Sequence, residues 1–338
     1  MKPYTLHSLL IVLVFGSALA QQEPTFSSQS NLVLVPTMVR DGKGNIIYGL
    51  HAQDFIVDDD GIAQEVHLDE AAESSPVSLM IAVQCGRRAW REFSRIRGLA
   101  AMLDPVVSDK NNQAALLLFD SKLNLLRDFT NDGDRIEEDL KNLQAGDNGA
   151  AILDAVSYSL KLLGRQPENR QRVLLLISET RDHGSHFAKL DDVISLTGVT
   201  NTAVYALPFS PSLSQVLDTE RGSNRDEAYW NAPPDIQGAV IMARHALKKN
   251  MPRAIAAMTG GEYELFSSRK GFETRMNSFS NHLRNRYLLS FEPKSPRPGL
   301  HRIRVRLKDP ASGTVLFRSN YWAGALPTQQ TSEVQTNR

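Results

Sequence analysis

Four apolar runs, 79–83, 114–119, 173–177 and 203–207, constrain the fold most. None of them alternates apolar with polar residues. A strand wetted on one face alternates, whereas a strand covered on both faces does not. Helical spacing separates the runs. Phe93, Ile96, Ala100 and Leu103 share one face of a helix over 87–103, and Ile152, Val156, Leu160 and Leu163 share one face over 150–164. Further helices are expected at about 236–258 and 270–285, followed by strands at 262–266 and 287–291. This alternation predicts an α/β fold with a doubly wound, mainly parallel sheet over 76–292.

The flanks carry a different period. In 25–75, Val33, Val35 and Thr37 alternate with Leu34, Pro36 and Met38, and both sets are largely apolar, so the buried face is left open. The segment 41–45 is a turn, after which 46–48 resumes a strand. Strands at 55–57 and 65–68 flank Asp60-Gly61, a hairpin signal. The run Asp58-Asp59-Asp60 lacks the ligand spacing and closing glutamate of an EF-hand loop and is read as a solvated turn. After a proline linker at 293–298, His301, Ile303, Val305 and Leu307 alternate with Arg302, Arg304 and Arg306. A turn at 309–313 returns the chain over 314–318, giving a hairpin within 295–324. This hairpin is expected to pair with the N-terminal strands, so that both ends build one small β module. The polar tail 325–338 is expected to be disordered.

Residues 1–20 read as a signal peptide: Lys2, an apolar run from Leu9 to Phe15, and the small residues Ser17, Ala18 and Ala20 before a polar stretch. The run is too short to span a bilayer core of about 30 Å. The mature chain is therefore expected to be exported, periplasmic or secreted, with no membrane anchor once the signal is removed. Lys+Arg and Asp+Glu both number 38, which gives no overall field for nucleic acid. Cys85 is the only cysteine, so no internal disulfide can form.

The motifs Asp41-Gly42-Lys43-Gly44, Leu50, Asp54-Phe55, Val57, Asp60-Gly61 and Gln64, with the closing stretch 301–323, resemble the bacterial VWFA-related proteins first grouped from acidobacteria. In these a β segment precedes a von Willebrand factor A-like domain, and the resemblance covers about 30–323. It implies three loops at the carboxyl ends of strands that supply oxygen ligands to magnesium. Here the ligand positions of the first loop fall on Val83, Cys85 and Arg87, that of the second on Ala150 in the stretch 148–154, and that of the third on Glu179. Only Glu179 offers a hard oxygen. The resemblance thus implies a degenerate metal site with no metal and no cofactor. Arg87 is expected either to pair with Glu179 and replace the ion's charge, or to point to solvent.

Three further features stand beside these. Cys85 at a strand-to-helix turn, with His183 or His186 on the third loop, allows a cysteine nucleophile; the alternative is a small buried side chain. Arg88, Arg91 and Arg95 share a helical face and read as a solvated surface. The polar connection 211–235 carries Tyr229 and Trp230, residue types that often anchor partners. Together these predict a non-enzymatic protein that binds a protein or surface ligand without metal, through the carboxyl end of its sheet, using Arg87, Glu179, Tyr229 and Trp230. A cysteine-dependent enzyme and a structural subunit of a surface assembly are the alternatives. The partner and the oligomeric state are not encoded in any motif.

Overall fold

A computed structural model describes residues 32–69, 75–86, 89, 92–96, 98–209, 236–294 and 297–324. The expected signal peptide, the connection bearing Tyr229 and Trp230, the polar tail, and Arg87, Arg88, Arg91 and Arg97 lie outside the described residues.

In β1 (Val33–Arg40), Val33, Val35 and Thr37 are buried and Leu34 and Pro36 half-buried, but Met38 of the other set is fully buried too, so the strand is covered on both faces towards its end. The Asp41 carboxylate closes the next turn by accepting the backbone N–H groups of Lys43 and Asn45, each at 2.8 Å. Ile46 then makes only one bridge back to Arg40, and the strand expected over 46–48 does not form. β2 (Phe55–Asp59) and β3 (Ile62–Ala63) form a hairpin about Asp60-Gly61, but its returning strand is 62–63 and not the expected 65–68. Asp60 and Gly61 stand at φ of 48° and 85°, the two left-handed positions such a tight turn demands. The returning strand is short, however, and β4 (His67–Asp69) crosses to another sheet.

β5 (Val77–Gln84) lies at the centre of the α/β region. It is followed by α1 (Phe93–Ile96), α2 (Leu99–Val107), β6 (Gln113–Phe119), β7 (Leu123–Thr130), α3 (Gly133–Lys141), α4 (Ile152–Gly164) and β8 (Gln171–Ile177). Next come α5 (Leu190–Val199), β9 (Thr202–Ala206), α6 (Ile236–Lys249), α7 (Met251–Thr259) and α8 (Arg269–Arg284). The strand order is β7-β6-β5-β8-β9, with β6, β5, β8 and β9 parallel and β7 antiparallel at the edge. Leu79, Ile81 and Val83 enter the apolar cluster under α2, α3 and α8, whereas Met80 and Ala82 enter the one under α4, α5, α6 and α7. Burial on both faces is why β5 needed no alternation.

Several expected boundaries move. The helix over 87–103 is two segments, α1 and α2, with the second running on to Val107. The helix over 236–258 breaks at Asn250, whose side-chain oxygen accepts the Arg253 N–H at 3.2 Å and caps α7. The expected strand 262–266 makes two isolated bridges, Ala206 with Tyr263 and Phe209 with Phe266. β7 has no counterpart among the expected strands; its residues are exposed or half-buried, as befits an edge.

The chain finishes with β10 (Tyr287–Phe291), β11 (Gly299–Leu307), β12 (Thr314–Phe317) and β13 (Asn320–Ala323). β10, expected as the last strand of the α/β alternation, instead joins the antiparallel sheet β12-β1-β10-β4. A second antiparallel sheet runs β13-β11-β2-β3. The two enclose a core that includes Val35, Phe55, Val57, Phe291, Ile303 and Val305. β11 and β12 are not the expected hairpin. They lie in different sheets, because the turn at Pro310–Ser312 and Gly313, at φ 153°, carries the chain across the sandwich. The Asp58-Asp59-Asp60 run is likewise not a solvated turn: Asp59 is buried and Asp60 largely so.

The sandwich packs on helices of the α/β region, β13 against α5 and β11 against α6. Buried Arg318 donates to the carbonyl oxygens of Leu34, Asn320 and Gly198 and to the Asn201 side chain, so one guanidinium spans both parts. No helix of the described residues is long and apolar enough to cross a membrane.

Candidate functional site

Parallel strands leave their loops at one end of the sheet, and β5, β6 and β8 do so here. Their loops interlock. The Cys85 carbonyl accepts the Gly146 N–H at 2.7 Å, and the Cys85 N–H donates to the Phe119 carbonyl at 2.7 Å. The contact between the first and second loops is so close that a Cβ on Gly86 would lie 2.5 Å from the Gly149 carbonyl oxygen. Asp147 accepts the backbone N–H groups of Gly149 at 2.7 Å and Ser121 at 3.1 Å. The Ser121 hydroxyl and these amides hold its carboxyl below the usual range.

The second and third loops exchange two backbone hydrogen bonds, Ala150 N–H to His183 O at 2.8 Å and His183 N–H to Ala150 O at 3.0 Å. Asp154 in α4 accepts the N–H groups of His186 and Ala188 at 2.8 and 2.6 Å. In return, Asp182 accepts the Leu153 N–H at 2.9 Å at the start of α4. The bond from Leu153 satisfies one of the free amides at the N-terminus of α4. Phe187, between the anchored amides, is 85% exposed.

The predicted metal positions can now be placed. Val83 and Ala150 are fully buried, and Val83 and Cys85 pack in the same apolar cluster. Glu179 is held by Gln84: its N–H donates to Gln84 Oε1 at 2.8 Å, and Gln84 Nε2 donates to its Oε1 at 3.1 Å. His183 Nε2 is 3.3 Å from Glu179 Oε2. A magnesium ion requires an octahedral shell of oxygens. Two aliphatic side chains, a thiol and one carboxylate do not fit it. Arg87 lies outside the described residues.

Cys85 is unlike an activated nucleophile. Burial, with Asp120 and Asp147 adding negative charge, pushes its thiol up to about 11. The thiol donates to the Phe119 carbonyl at 3.4 Å, while His183 faces Glu179. Sequence reasoning missed Gln84, Asp120, Asp147 and Asp154 as loop-fixing residues. Only the turn chemistry of Asp147-Asn148-Gly149 hinted at one of them.

Residues 88–185 match the family described as von Willebrand factor type A domain. The α/β region therefore has a von Willebrand factor A-like fold. This A domain has the mixed, mostly parallel sheet with helices on both faces described above. Similar solved structures include an aerotolerance-related membrane protein from Bacteroides fragilis, with multiple mutations to serines, at 17% identity, covering 61% of this chain and 98% of that one, TM-score 0.40. The conserved hypothetical protein BatB from Bacteroides thetaiotaomicron aligns at 12% identity over 62% of this chain and 100% of its own, TM-score 0.38. The PilB minor pilin from Streptococcus sanguinis aligns at 10% identity over 62% and 61%, TM-score 0.40. Scores of this size add nothing about function. No curated protein matches the chain.

Proposed function

We propose that this is an exported, non-enzymatic binding protein whose A domain holds a protein or surface ligand, without metal, on the loops at the carboxyl end of its sheet. The observation that carries the reading is the locked loop platform itself. Three loops are fastened to one another by backbone and carboxylate hydrogen bonds, and Phe187 stands exposed on them. Preorganised loops bind without paying an ordering cost, and an exposed aromatic supplies a contact anchor. The donor set supports metal independence, since Glu179 alone among the described metal positions offers a hard oxygen.

Arg87 belongs to this proposal as the cation that complements Glu179, and Tyr229 and Trp230 as aromatic contacts on the connection that follows β9. The raised thiol pKa of Cys85 disfavours the cysteine-dependent alternative.

The test is capture of partners from the exported fraction by the purified chain, with and without EDTA, alongside Phe187→Asp and Trp230→Ala. Binding that survives EDTA and falls with Phe187→Asp is expected. Loss with EDTA would remove metal independence, and a partner indifferent to Phe187→Asp would move the binding face elsewhere.

A further inference from the structure

The sandwich contains a second cluster of chemistry, far in sequence from the A-domain loops. Asp58 pairs outward with Arg306 at 2.7 Å, but Asp59 and Asp60 face His301 on β11. His301 is 1% exposed and Asp59 4%. His301 Nε2 lies 2.6 Å from the Arg297 carbonyl oxygen. A carbonyl only accepts, so Nε2 carries a proton and Nδ1 is left to face the carboxylates. Nδ1 is 3.3 Å from Asp59 Oδ1 and 3.1 Å from Asp60 Oδ2.

Nδ1 makes no hydrogen bond to either carboxylate. Both Asp59 Oδ1 and His301 Nδ1 are buried with no hydrogen-bond partner. Buried polar atoms almost always have one, and a buried carboxylate oxygen and ring nitrogen left facing each other are stabilised by a cation between them. A tetrahedral ion bound to nitrogen and oxygen at about 2.0–2.1 Å sets its ligands about 3.3 Å apart. The two nitrogen–oxygen separations, 3.3 and 3.1 Å, match this spacing, and the three donors all lie within 4.8 Å of one another.

The remaining atoms are held as outer supports of a metal site usually are. Asp59 Oδ2 accepts the Tyr321 hydroxyl at 2.9 Å, and the Tyr321 ring stacks on His301 with centroids 4.7 Å apart. Asp60 Oδ1 accepts the Arg302 N–H at 3.0 Å, and its Oδ2 also accepts from the exposed Arg297 guanidinium at 2.8 Å.

We propose that Asp59, Asp60 and His301 bind one divalent transition-metal ion with the tetrahedral preference of zinc. An imidazole with two carboxylates suits zinc better than magnesium or calcium, which take all-oxygen shells. The ion would fasten the turn between β2 and β3, from the N-terminal part of the chain, to β11 from the C-terminal part. It is independent of the A-domain loops and of any partner bound there.

The test uses the full chain, stripped with EDTA and dialysed, then titrated with zinc by calorimetry, with bound metal counted by elemental analysis and thermal unfolding followed in parallel. One zinc per chain and a raised Tm are expected. His301→Gln should weaken zinc binding by more than about tenfold, the loss of a ligand exceeding that of an outer support. Asp60→Asn gives a second reading should that variant not fold, since asparagine tolerates the left-handed turn position at φ 48°. Asp58→Asn should bind as the parent does. Absence of stoichiometric zinc, or equal binding by the parent, His301→Gln and Asp60→Asn, would overturn the site and leave a protonated histidine between two carboxylates.

Discussion

Gln84 and Glu179 hold each other through two hydrogen bonds between neighbouring strand ends, the Glu179 N–H to Gln84 Oε1 at 2.8 Å and Gln84 Nε2 to Glu179 Oε1 at 3.1 Å. Gln84 is almost fully buried. Its amide thus sets both the backbone and the carboxylate of the remaining acidic position on the A-domain face. Gln84→Leu should leave the Glu179 N–H without its acceptor and cost about 1–3 kcal/mol, read by urea denaturation. Stability unchanged to within about 0.5 kcal/mol would mean that the amide does not fix this loop.

Cys85 should be slow to alkylate. Its pKa of about 11 stands well above the ordinary 9.0, so the thiolate is about a hundredfold scarcer at neutral pH than in an unfolded chain. Iodoacetamide labelling at pH 8, with and without denaturant, measures the ratio directly. Equal rates would restore the thiol as a candidate nucleophile.

Gly86→Ala should destabilise the loop platform. The added Cβ would meet the Gly149 carbonyl oxygen at 2.5 Å, a backbone atom tied into the second loop. Overpacking of this kind costs about 1–3 kcal/mol. Chemical denaturation gives the cost, and amide exchange at 146–151 shows where the loop loosens.

Glu262 should govern acid stability where the sandwich meets the A domain. It is 5% exposed and lies against Arg40, His282 at 2.9 Å and Arg286 at 3.3 Å. Burial raises its pKa, but the His282 hydrogen bond and the Arg286 and Arg40 guanidiniums outweigh burial and hold it below the ordinary 4.5. A depressed carboxyl stabilises the fold above its unfolded value. That contribution is lost as pH falls from about 4.5 through the folded value. Glu262→Gln should flatten this acid limb. At neutral pH it should cost about 3 kcal/mol, because it removes the carboxylate shared by Arg40 and the buried Arg286. A variant with the parent's acid profile would show that other carboxyls govern the limb.

The A-domain sheet was legible because it is buried on both faces. The unbroken apolar runs around Ile81, Leu116 and Leu175 have no other soluble strand environment. β7 was not legible, since its half-exposed residues carry neither that pattern nor a clean alternation. The loss of oxygen donors at Val83, Cys85 and Ala150 is a matter of residue identity and could be read directly. Gln84 could not, because its role depends on β5 and β8 lying side by side, with Val83 opposite Ile177.

The same division holds at the chain ends. Sequence alone determined the strand character of 301–307 and the left-handed turn at Asp60-Gly61, since periodicity and backbone sterics are local. Only the tertiary structure decided that β10 leaves the A domain for the sandwich, that β11 and β12 separate into two sheets, and that Asp59, Asp60 and His301 converge. These outcomes depend on which surfaces, hundreds of residues apart, exclude water from one another, and no local pattern carries that information.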